Sequence, residues 1–344
     1  MNRLPTAFSL LLSISCIDAS VVEFNRDIRP ILSDKCFSCH GLDQQKGGLR
    51  LDLEATAFKG GKSGKPAIIP GEPNHSELVA RVTHTGDDRM PPPKKDAVPS
   101  LNAKQVAVLR QWITEGGKYQ KHWAYEKPTK PRPPLVKTDV SHSIDRFILA
   151  RLEKRGWPIS PPAEKARLLR RVHLDLTGLP PTLVELDAFL AENSPDAYRK
   201  VVDRLLKSER YGEHWARQWL DLARYADSNG FQADQLRDSW AYRDWVIDAM
   251  NADMPFDQFT IEQIAGDLLP SPTLAQKIAT GFHRTPTCNV EAGVDPEENR
   301  TNQVVDRVNT TGTVWLGTSL ECAQCHSHKY DPFSQEDYYR IFSF

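Results

Sequence analysis

Two short motifs constrain this 344-residue chain more than any other feature of its sequence. Each has the form Cys-x-x-Cys-His, in which one tight turn carries two thiols to one side and an imidazole close beneath them. This arrangement is typical of covalently attached haem c, whose vinyl groups bind the two sulfurs and whose iron binds the histidine. The residues concerned are Cys36, Cys39 and His40 in the first motif, and Cys322, Cys325 and His326 in the second.

The start of the chain carries the features of a secretory signal peptide, which we assign to residues 1–19. A positive charge precedes the largely apolar stretch 7–17, and Ala19 offers a cleavage site. That stretch is too short to span a bilayer comfortably. Lipid modification of Cys16 is the less favoured alternative, because residues 13–15 match a lipoprotein signal poorly. We therefore expect a mature protein that is periplasmic or otherwise exported and has no transmembrane segment.

The expected compartment bears on the remaining cysteines. Of the six in the chain, Cys16 falls in the signal peptide, four form the two Cys-x-x-Cys pairs, and Cys288 is left over. Thiols outside the cytoplasm are at risk of oxidation. The pairs would therefore tend to form disulfides unless a haem or a metal ion occupied their sulfurs.

The mature chain divides into three segments by its pattern of apolar, glycine and proline residues. We predict a cytochrome c-like helical domain over residues 22–125, a stiff Pro-rich linker over 126–140, and a larger all-α domain over 141–344 that carries the second motif. The predicted fold class is thus mainly α. The 25 prolines favour short helices with frequent stops.

Local helix signals refine this division. Capping boxes are predicted at Asn74, Asn102 and Thr182, each followed three residues later by Glu or Gln and then by apolar residues. Residues 41–73 are rich in Gly and Pro and are predicted to form a loop.

The iron of a first haem needs a second axial ligand, and Met90 is the residue that we predict for it. It is one of only four methionines and lies in the stiff segment Arg89-Met-Pro-Pro-Pro93. A thioether ligand favours the reduced iron and raises the reduction potential. His75 and His84 are competing ligands that would lower the potential, although each is more simply read as a surface histidine.

Other chemistries remain open at the first motif. A structural zinc site usually needs four ligands, and no second cysteine pair lies within the N-terminal domain. A thioredoxin-like redox pair would require a βαβ pattern, which is missing here.

The second motif admits more alternatives than the first. Zinc could be held by Cys322, Cys325 and His328 together with either Cys288 or His283. No methionine follows the motif, so a distal haem ligand would have to come from upstream, or the iron would stay five-coordinate. The candidate distal ligands are His173, His214 and His283. Two histidine ligands would give this haem a lower potential than the first, and hence a gradient for electron flow.

A polar helix motif runs from Trp219 to Asp227. Asp221 and Arg224 are spaced i, i+3 and are therefore able to pair on one helix face, and paired acids in a cleft can perform acid–base chemistry. A helix surface with ion pairs is the simpler interpretation. The formal net charge of −1 gives no indication of a nucleic-acid partner.

Several stretches resemble the planctomycete-type cytochrome c domain. They are residues 24–32, Cys36-Phe-Ser-Cys-His-Gly41, Gly48-Leu-Arg-Leu-Asp52, Pro70-Gly71, Arg89-Met-Pro-Pro92 and the segment Leu109–Ile113. The resemblance implies haem attachment at Cys36, Cys39 and His40, and Met90 as distal ligand.

The rest of the chain resembles the cytochrome-associated domain of unknown function that follows in the same family. The stretches concerned are residues 144–147, 171–181, 219–227, 281–284, 306–311 and 322–332. Relatives usually continue into a further large domain, so the resemblance implies that this chain is a truncated member.

We therefore expect an exported c-type cytochrome that carries electrons to or from redox partner proteins which the sequence does not identify. One alternative is an oxidoreductase whose helical domain acts on a substrate such as a polysaccharide and passes electrons to the haem. Another is a binding module in which zinc or another metal has only a structural role.

Overall fold

The structure is a computed structural model that describes residues 21–93, 98–140, 142–231 and 233–344. Over these residues the chain forms α-helices and short π- and 3₁₀-helical turns, with no β-strand. The predicted mainly α fold class is confirmed. The predicted signal peptide and Cys16 lie outside the described residues. Within them, no helix is both long and apolar enough to cross a membrane.

The chain divides into two compact units. The first consists of the residues up to Lys127 together with Cys325–Gln335, and the second consists of Pro128–Gln324 together with Glu336–Phe344. A short segment from late in the chain therefore belongs to the N-terminal unit. Nothing in the sequence pattern indicated that this late segment would belong to the N-terminal unit.

The first unit begins with a π-helical turn over Phe24–Ile28, which continues into an α-helix. Pro30 lies in the first turn of that helix, where the backbone N–H has no hydrogen-bond partner within the helix, so its absence does not destabilise the helix. Asn102 caps the longest helix through the predicted reciprocal box, since its side chain accepts from the Gln105 amide at 2.9 Å and the Gln105 side chain accepts in return at 3.0 Å. The α-helices are α1 (Arg29–Lys35), α2 (Phe37–His40), α3 (Glu54–Lys59), α4 (Glu77–Thr83) and α5 (Ala103–Thr114).

Two expectations for this unit are wrong. The stretch 41–73 is not purely a loop, because it contains α3. Asn74 does not cap α4, whose N-cap is Ser76. The Asn74 carboxamide instead accepts a hydrogen bond from Arg110 at 2.7 Å, and the buried Ser76 hydroxyl binds backbone groups of the preceding loop. A long-range contact thus overrides the local capping signal.

Aromatic packing anchors the core of the first unit. Trp112 is 2% exposed and lies 5.6 Å from the Phe24 ring and 5.4 Å from the Tyr119 ring, centre to centre. Its indole N–H donates to the Lys118 carbonyl at 3.0 Å, so the polar atom is satisfied inside the core. Cys36 belongs to the same cluster, which couples the first motif to the packing of the whole unit.

The second unit is a larger set of helices. Thr182 and Glu185 form the predicted capping box at the start of one of them. The helices are α6 (Ser143–Lys154), α7 (Lys165–Thr177), α8 (Leu183–Ala191), α9 (Ala197–Leu206), α10 (Glu209–Leu222), α11 (Trp240–Asn251), α12 (Phe256–Ala265), α13 (Leu274–Ala279), α14 (Pro296–Thr311) and α15 (Gln335–Phe342).

Helices α10 and α11 pack closely across a glycine. A Cβ atom on Gly212 would lie 2.5 Å from the backbone oxygen of Ile247, so no larger residue fits there. The same two helices share a polar network, in which the buried Gln263 carboxamide oxygen accepts from the Trp219 indole of α10 and the Tyr242 hydroxyl of α11, both at 2.7 Å. A satisfied polar network of this kind fixes a single arrangement of the surrounding helices.

Replacing Trp112 tests the packing of the first unit. We expect Trp112→Ala to lower the free energy of unfolding by about 3–5 kcal/mol, because it leaves a large cavity among buried aromatic rings. Trp123→Ala is the matched control, since Trp123 is 72% exposed and its removal is expected to cost less than about 0.5 kcal/mol. Urea unfolding followed by circular dichroism measures both. Equal losses in the two variants would contradict this account of the core.

Candidate functional site

The first Cys-x-x-Cys-His motif is held by one tight helical turn. The Cys36 backbone lies outside the helical region and separates α1 from α2. Its carbonyl accepts from the Cys39 amide at 3.1 Å and from the His40 amide at 2.8 Å. These two hydrogen bonds fix the two thiols and the imidazole relative to one another.

Gly41 allows the chain to leave this turn. A Cβ atom at this position would lie 2.5 Å from the Phe37 carbonyl oxygen, a backbone atom that cannot move aside easily. Just beyond, the Leu51 amide donates to the His40 carbonyl at 2.8 Å. Because Leu51 is buried in the core, this bond ties the end of the motif to the packed interior.

A cavity of about 480 Å³ opens beside the motif. Cys36, Cys39 and His40 line it, and so does Met90, which comes from a different part of the chain. The other lining side chains are mostly apolar, with charged residues among them. The apolar ones include Leu49, Leu51, Ala67, Leu78, Val82 and Val98, and the charged ones are Lys35, Lys46, Glu77 and Arg81.

The charge states of the motif suit a metal-bound imidazole. Burial lowers the pKa of His40, which favours the neutral ring that binds iron. The Nδ1 atom of this ring is buried and makes no hydrogen bond within the described part of the chain. Burial raises the pKa of the Cys36 thiol to about 12, so an unreacted Cys36 would be protonated and not a thiolate.

Met90 is positioned by its backbone and by the segment around it. Its amide donates to the Arg81 carbonyl at 3.0 Å, which ties the Pro-rich segment to α4. The Arg81 guanidinium binds Glu77 of the same helix at 2.8 Å and Asp88 of the following loop at 3.0 Å, and the second of these pairs ties the loop to α4. Arg81 was not among the residues predicted from the sequence, although its i, i+4 spacing from Glu77 on a helix was a usable signal.

The competing histidines lie elsewhere. His75 is exposed and its ring Nδ1 pairs with Glu72 at 2.8 Å. His84 is exposed and its ring Nδ1 accepts from the Gly86 amide at 2.9 Å. Neither residue lines the cavity.

The residues of this cavity fit haem c. Two thiols for thioether bonds, a neutral imidazole and a thioether sulfur all border one largely apolar space. This donor set matches that of a Met/His-ligated c-type haem.

The second motif spans a point in the sequence at which the chain passes from the second unit to the first. Cys322 lies in a 3₁₀ turn, Leu320–Gln324, that belongs to the second unit. Cys325 and His326 belong to the first unit, and all three side chains are exposed. The His326 ring Nδ1 lies 2.8 Å from the Ser327 carbonyl oxygen, so Nε2 remains the ring atom for a metal ion.

The histidines that were candidate distal ligands of a second haem, and the candidate zinc ligands, can each be located in the structure. His173 is buried in α7 with its Nε2 unpaired. His283 Nε2 lies 3.3 Å from the Ile264 carbonyl oxygen, and the His214 ring lies against Gly178. No group of three or more His, Cys, Asp or Glu side chains among the described residues is placed to hold a metal ion. The structure therefore does not assemble the zinc set of Cys322, Cys325 and His328.

The segment Cys325–Gln335 is bound to the first unit by several polar contacts. Asp43, three residues after His40, accepts from the Ser327 amide at 3.2 Å and from its hydroxyl. Ser33, three residues before Cys36, donates to the Lys329 carbonyl at 2.9 Å. The second motif's histidine is thus followed directly by residues that contact both flanks of the first motif.

One further contact extends this docking: the His122 Nε2 atom lies 3.2 Å from a carboxylate oxygen of Asp331. Within the segment itself, the His328 Nδ1 atom accepts from the Asp331 amide at 2.8 Å. Burial lowers the pKa of His122, with the nearby Arg29 charge as a second cause. The Tyr125 and Phe333 rings meet edge to face at 5.7 Å.

The polar helix motif differs from expectation. Arg224 lies beyond the end of α10 in the left-handed region, with φ of 58°, and does not pair with Asp221. Its guanidinium instead contacts Asp306 of α14 at 2.5 Å. The Tyr225 hydroxyl donates to Asp227 at 2.5 Å.

Comparison with known families gives two matches. Residues 36–94 match the planctomycete cytochrome C family, and residues 143–344 match PSCyt2, a protein family of unknown function (DUF1549). Their order along the chain is the order that the sequence motifs indicated. No curated protein and no solved structure matches the chain.

Removing the Asp43 carboxylate tests the docking of Cys325–Gln335. We expect Asp43→Ala to accelerate hydrogen exchange at the Ser327 amide at least about tenfold, since a hydrogen bond to a charged group contributes about 1.5–3 kcal/mol. Asp34→Ala is the matched control, because Asp34 contacts Lys329 only through an exposed ion pair at 3.4 Å. Hydrogen exchange at the Ser327 amide, measured by mass spectrometry, distinguishes the two variants. The same exchange rate in both variants would show that Asp43 does not hold the segment.

Proposed function

The chain belongs to the PSCyt2 family of proteins of unknown function (DUF1549) and carries a planctomycete cytochrome C domain ahead of that region, and from this premise we propose that it is an exported electron carrier. A cytochrome c domain implies haem c. The proposal assigns attachment to Cys36 and Cys39, and the two axial positions to His40 and Met90.

One observation carries this proposal. The two thiols, the imidazole and the Met90 side chain border the same cavity of about 480 Å³, although 50 residues separate His40 from Met90 in the sequence. When bound there, haem c supplies an iron that accepts and donates single electrons. The protein's part is to hold two ligands in place, exclude water with apolar walls and set the potential.

The apolar lining and the choice of axial ligand act on the potential in the same direction. A thioether ligand stabilises the reduced iron, and an apolar surrounding disfavours the additional positive charge of the oxidised iron. We propose a comparatively high-potential haem at the first motif.

We also propose a second haem at Cys322, Cys325 and His326. Its support is the motif itself and the exposure of all three side chains, which leaves them accessible to the haem-attachment machinery. The distal ligand is not assigned. If a histidine fills that position, the second potential lies below the first, and electrons pass from the second haem to the first.

The proposal of export rests on the charge and apolar pattern of residues 1–19. It agrees with the requirement of c-type haem attachment for reduced thiols and haem to meet outside the cytoplasm. A catalytic role for the helical unit remains a prediction from sequence.

Replacing Met90 tests the axial assignment. We expect Met90→Ala to retain its covalent haem, because the thioether bonds do not involve it, while the reduction potential falls on the order of 100 mV as water or a stronger-field ligand replaces sulfur. Met254→Ala in the second unit is the matched control and should leave the potential unchanged. Spectroelectrochemical titration measures both. An unchanged potential in Met90→Ala would exclude Met90 as ligand.

A double substitution tests the second haem. Wild-type protein produced with a c-type maturation system should carry two haems per chain by pyridine haemochrome assay, and Cys322→Ala/Cys325→Ala should carry one. Cys288→Ala is the control and should retain two, because Cys288 belongs to neither motif. One haem in the wild type would remove the second site while leaving the first intact.

Processing tests the proposal of export. In a host with a secretory pathway we expect cleavage after Ala19, so that the mature chain begins at Ser20. N-terminal sequencing of protein from the periplasmic fraction identifies the first residue. Recovery of the intact Met1 chain from the cytoplasm alone would contradict export.

A further inference from the structure

Three arginines of the second unit gather around the turn Thr280–Arg284. The Arg307 Nε atom of α14 donates to the His283 carbonyl at 2.8 Å, and Arg284 is the next residue along the chain. On the other side, the centre of the Arg224 guanidinium lies 5.9 Å from the centre of the Phe282 ring. The three cations thus come from the end of α10, the turn and α14.

Arg224 occupies a backbone position that usually belongs to glycine. Helix α10 ends with the Tyr225 amide donating to the Leu220 carbonyl at 2.9 Å, the closing bond of a Schellman motif, and Arg224 is its left-handed residue with φ of 58°. An arginine there has a less favourable backbone conformation than glycine would have. Residues held in such conformations concentrate at functional sites.

The polar atoms of this cluster are incompletely satisfied. Arg224 binds Asp306 at 2.5 Å through its terminal nitrogen, but its Nε atom is buried without a hydrogen-bond partner. The Arg284 side chain is exposed and makes no hydrogen bond or ion pair within the described part of the chain.

Positive charge exceeds negative charge in the cluster. Burial and the neighbouring charges of Arg284 and Arg224 lower the pKa of Arg307, and Asp306 opposes them. Asp267 is the other carboxylate that acts here, on the ring of His283, whose pKa is lowered chiefly by burial. The cluster therefore contains three guanidinium groups, and Asp306 is the carboxylate in direct contact with one of them, Arg224.

We propose that Arg224, Arg284 and Arg307 form a binding site for an oxyanionic group, such as the carboxylate or sulfate group of a small molecule. Guanidinium groups present paired N–H donors that match two oxygens of such a group. Arg284 has all its donors free, and the anion would balance the excess charge. The Asp306 carboxylate fixes the orientation of Arg224 and is a positioning residue.

Titration calorimetry on the full-length, haem-loaded protein tests this site. The probes are sodium acetate, sodium sulfate and inorganic phosphate, each at constant ionic strength maintained with chloride. We expect at least one probe to bind with a stoichiometry of one per chain. Tightest binding by acetate identifies a carboxylate site, and tightest binding by sulfate or phosphate identifies a site for a tetrahedral oxyanion.

Two variants assign the binding to these residues. Arg284→Gln and Arg224→Gly should each weaken the binding of the preferred probe at least tenfold. Arg224→Gly suits the left-handed backbone, and Arg284 makes no contact that the fold needs, so thermal unfolding by circular dichroism should confirm folded protein. If Arg224→Gly fails to fold, Arg284→Gln alone decides.

Arg300→Gln is the matched control. Arg300 lies on α14, as Arg307 does, but it is exposed and paired with Glu297 at 2.5 Å. Its replacement should leave the dissociation constant within twofold of wild type. Failure of all three probes to bind, or equal weakening by Arg300→Gln and Arg284→Gln, would overturn the proposal.

Discussion

The Cys36 carbonyl oxygen accepts hydrogen bonds from the amides of both Cys39 and His40, and the candidate site depends on this turn. Cys36 is itself part of the aromatic and aliphatic core, so the turn cannot shift without disturbing that packing. The Leu51 amide fixes the other end of the motif. A cofactor with rigid attachment points requires such preorganisation, because each misplaced sulfur or nitrogen would strain the bonds that it forms.

The remaining parts of the site are brought to this turn by longer-range interactions. Met90 reaches the cavity because its amide binds the Arg81 carbonyl of α4 and because the Arg81 guanidinium holds Asp88 of the following loop. The segment Cys325–Gln335 contacts residues on both flanks of the first motif through Asp43 and Ser33. The proposed passage of electrons between two haems would need the segment that carries His326 to lie close to the first motif in this way.

The elements that could be predicted from the sequence are those whose decisive interactions are local. The capping boxes at Asn102 and Thr182 close within three residues, and the Cys-x-x-Cys-His turn closes within four, so their residue types are sufficient to predict them. The residues whose contacts could not be predicted are those with partners far away in the sequence. Asn74 binds Arg110 and does not cap a helix, and Arg224 binds Asp306 and not Asp221. The docking of Cys325–Gln335 left no periodic signal, since its contacts use isolated serines and carboxylates.

Covalent attachment at the first motif is the claim on which the functional account depends, and one peptide tests it directly. Trypsin cleavage after Lys35 and Lys46 releases Cys36–Lys46, which contains both cysteines and His40. In protein purified from a host that matures c-type cytochromes, tandem mass spectrometry should find this peptide with the added mass of one haem and no free thiol. The same peptide at its unmodified mass, with both thiols open to alkylation, would contradict the account.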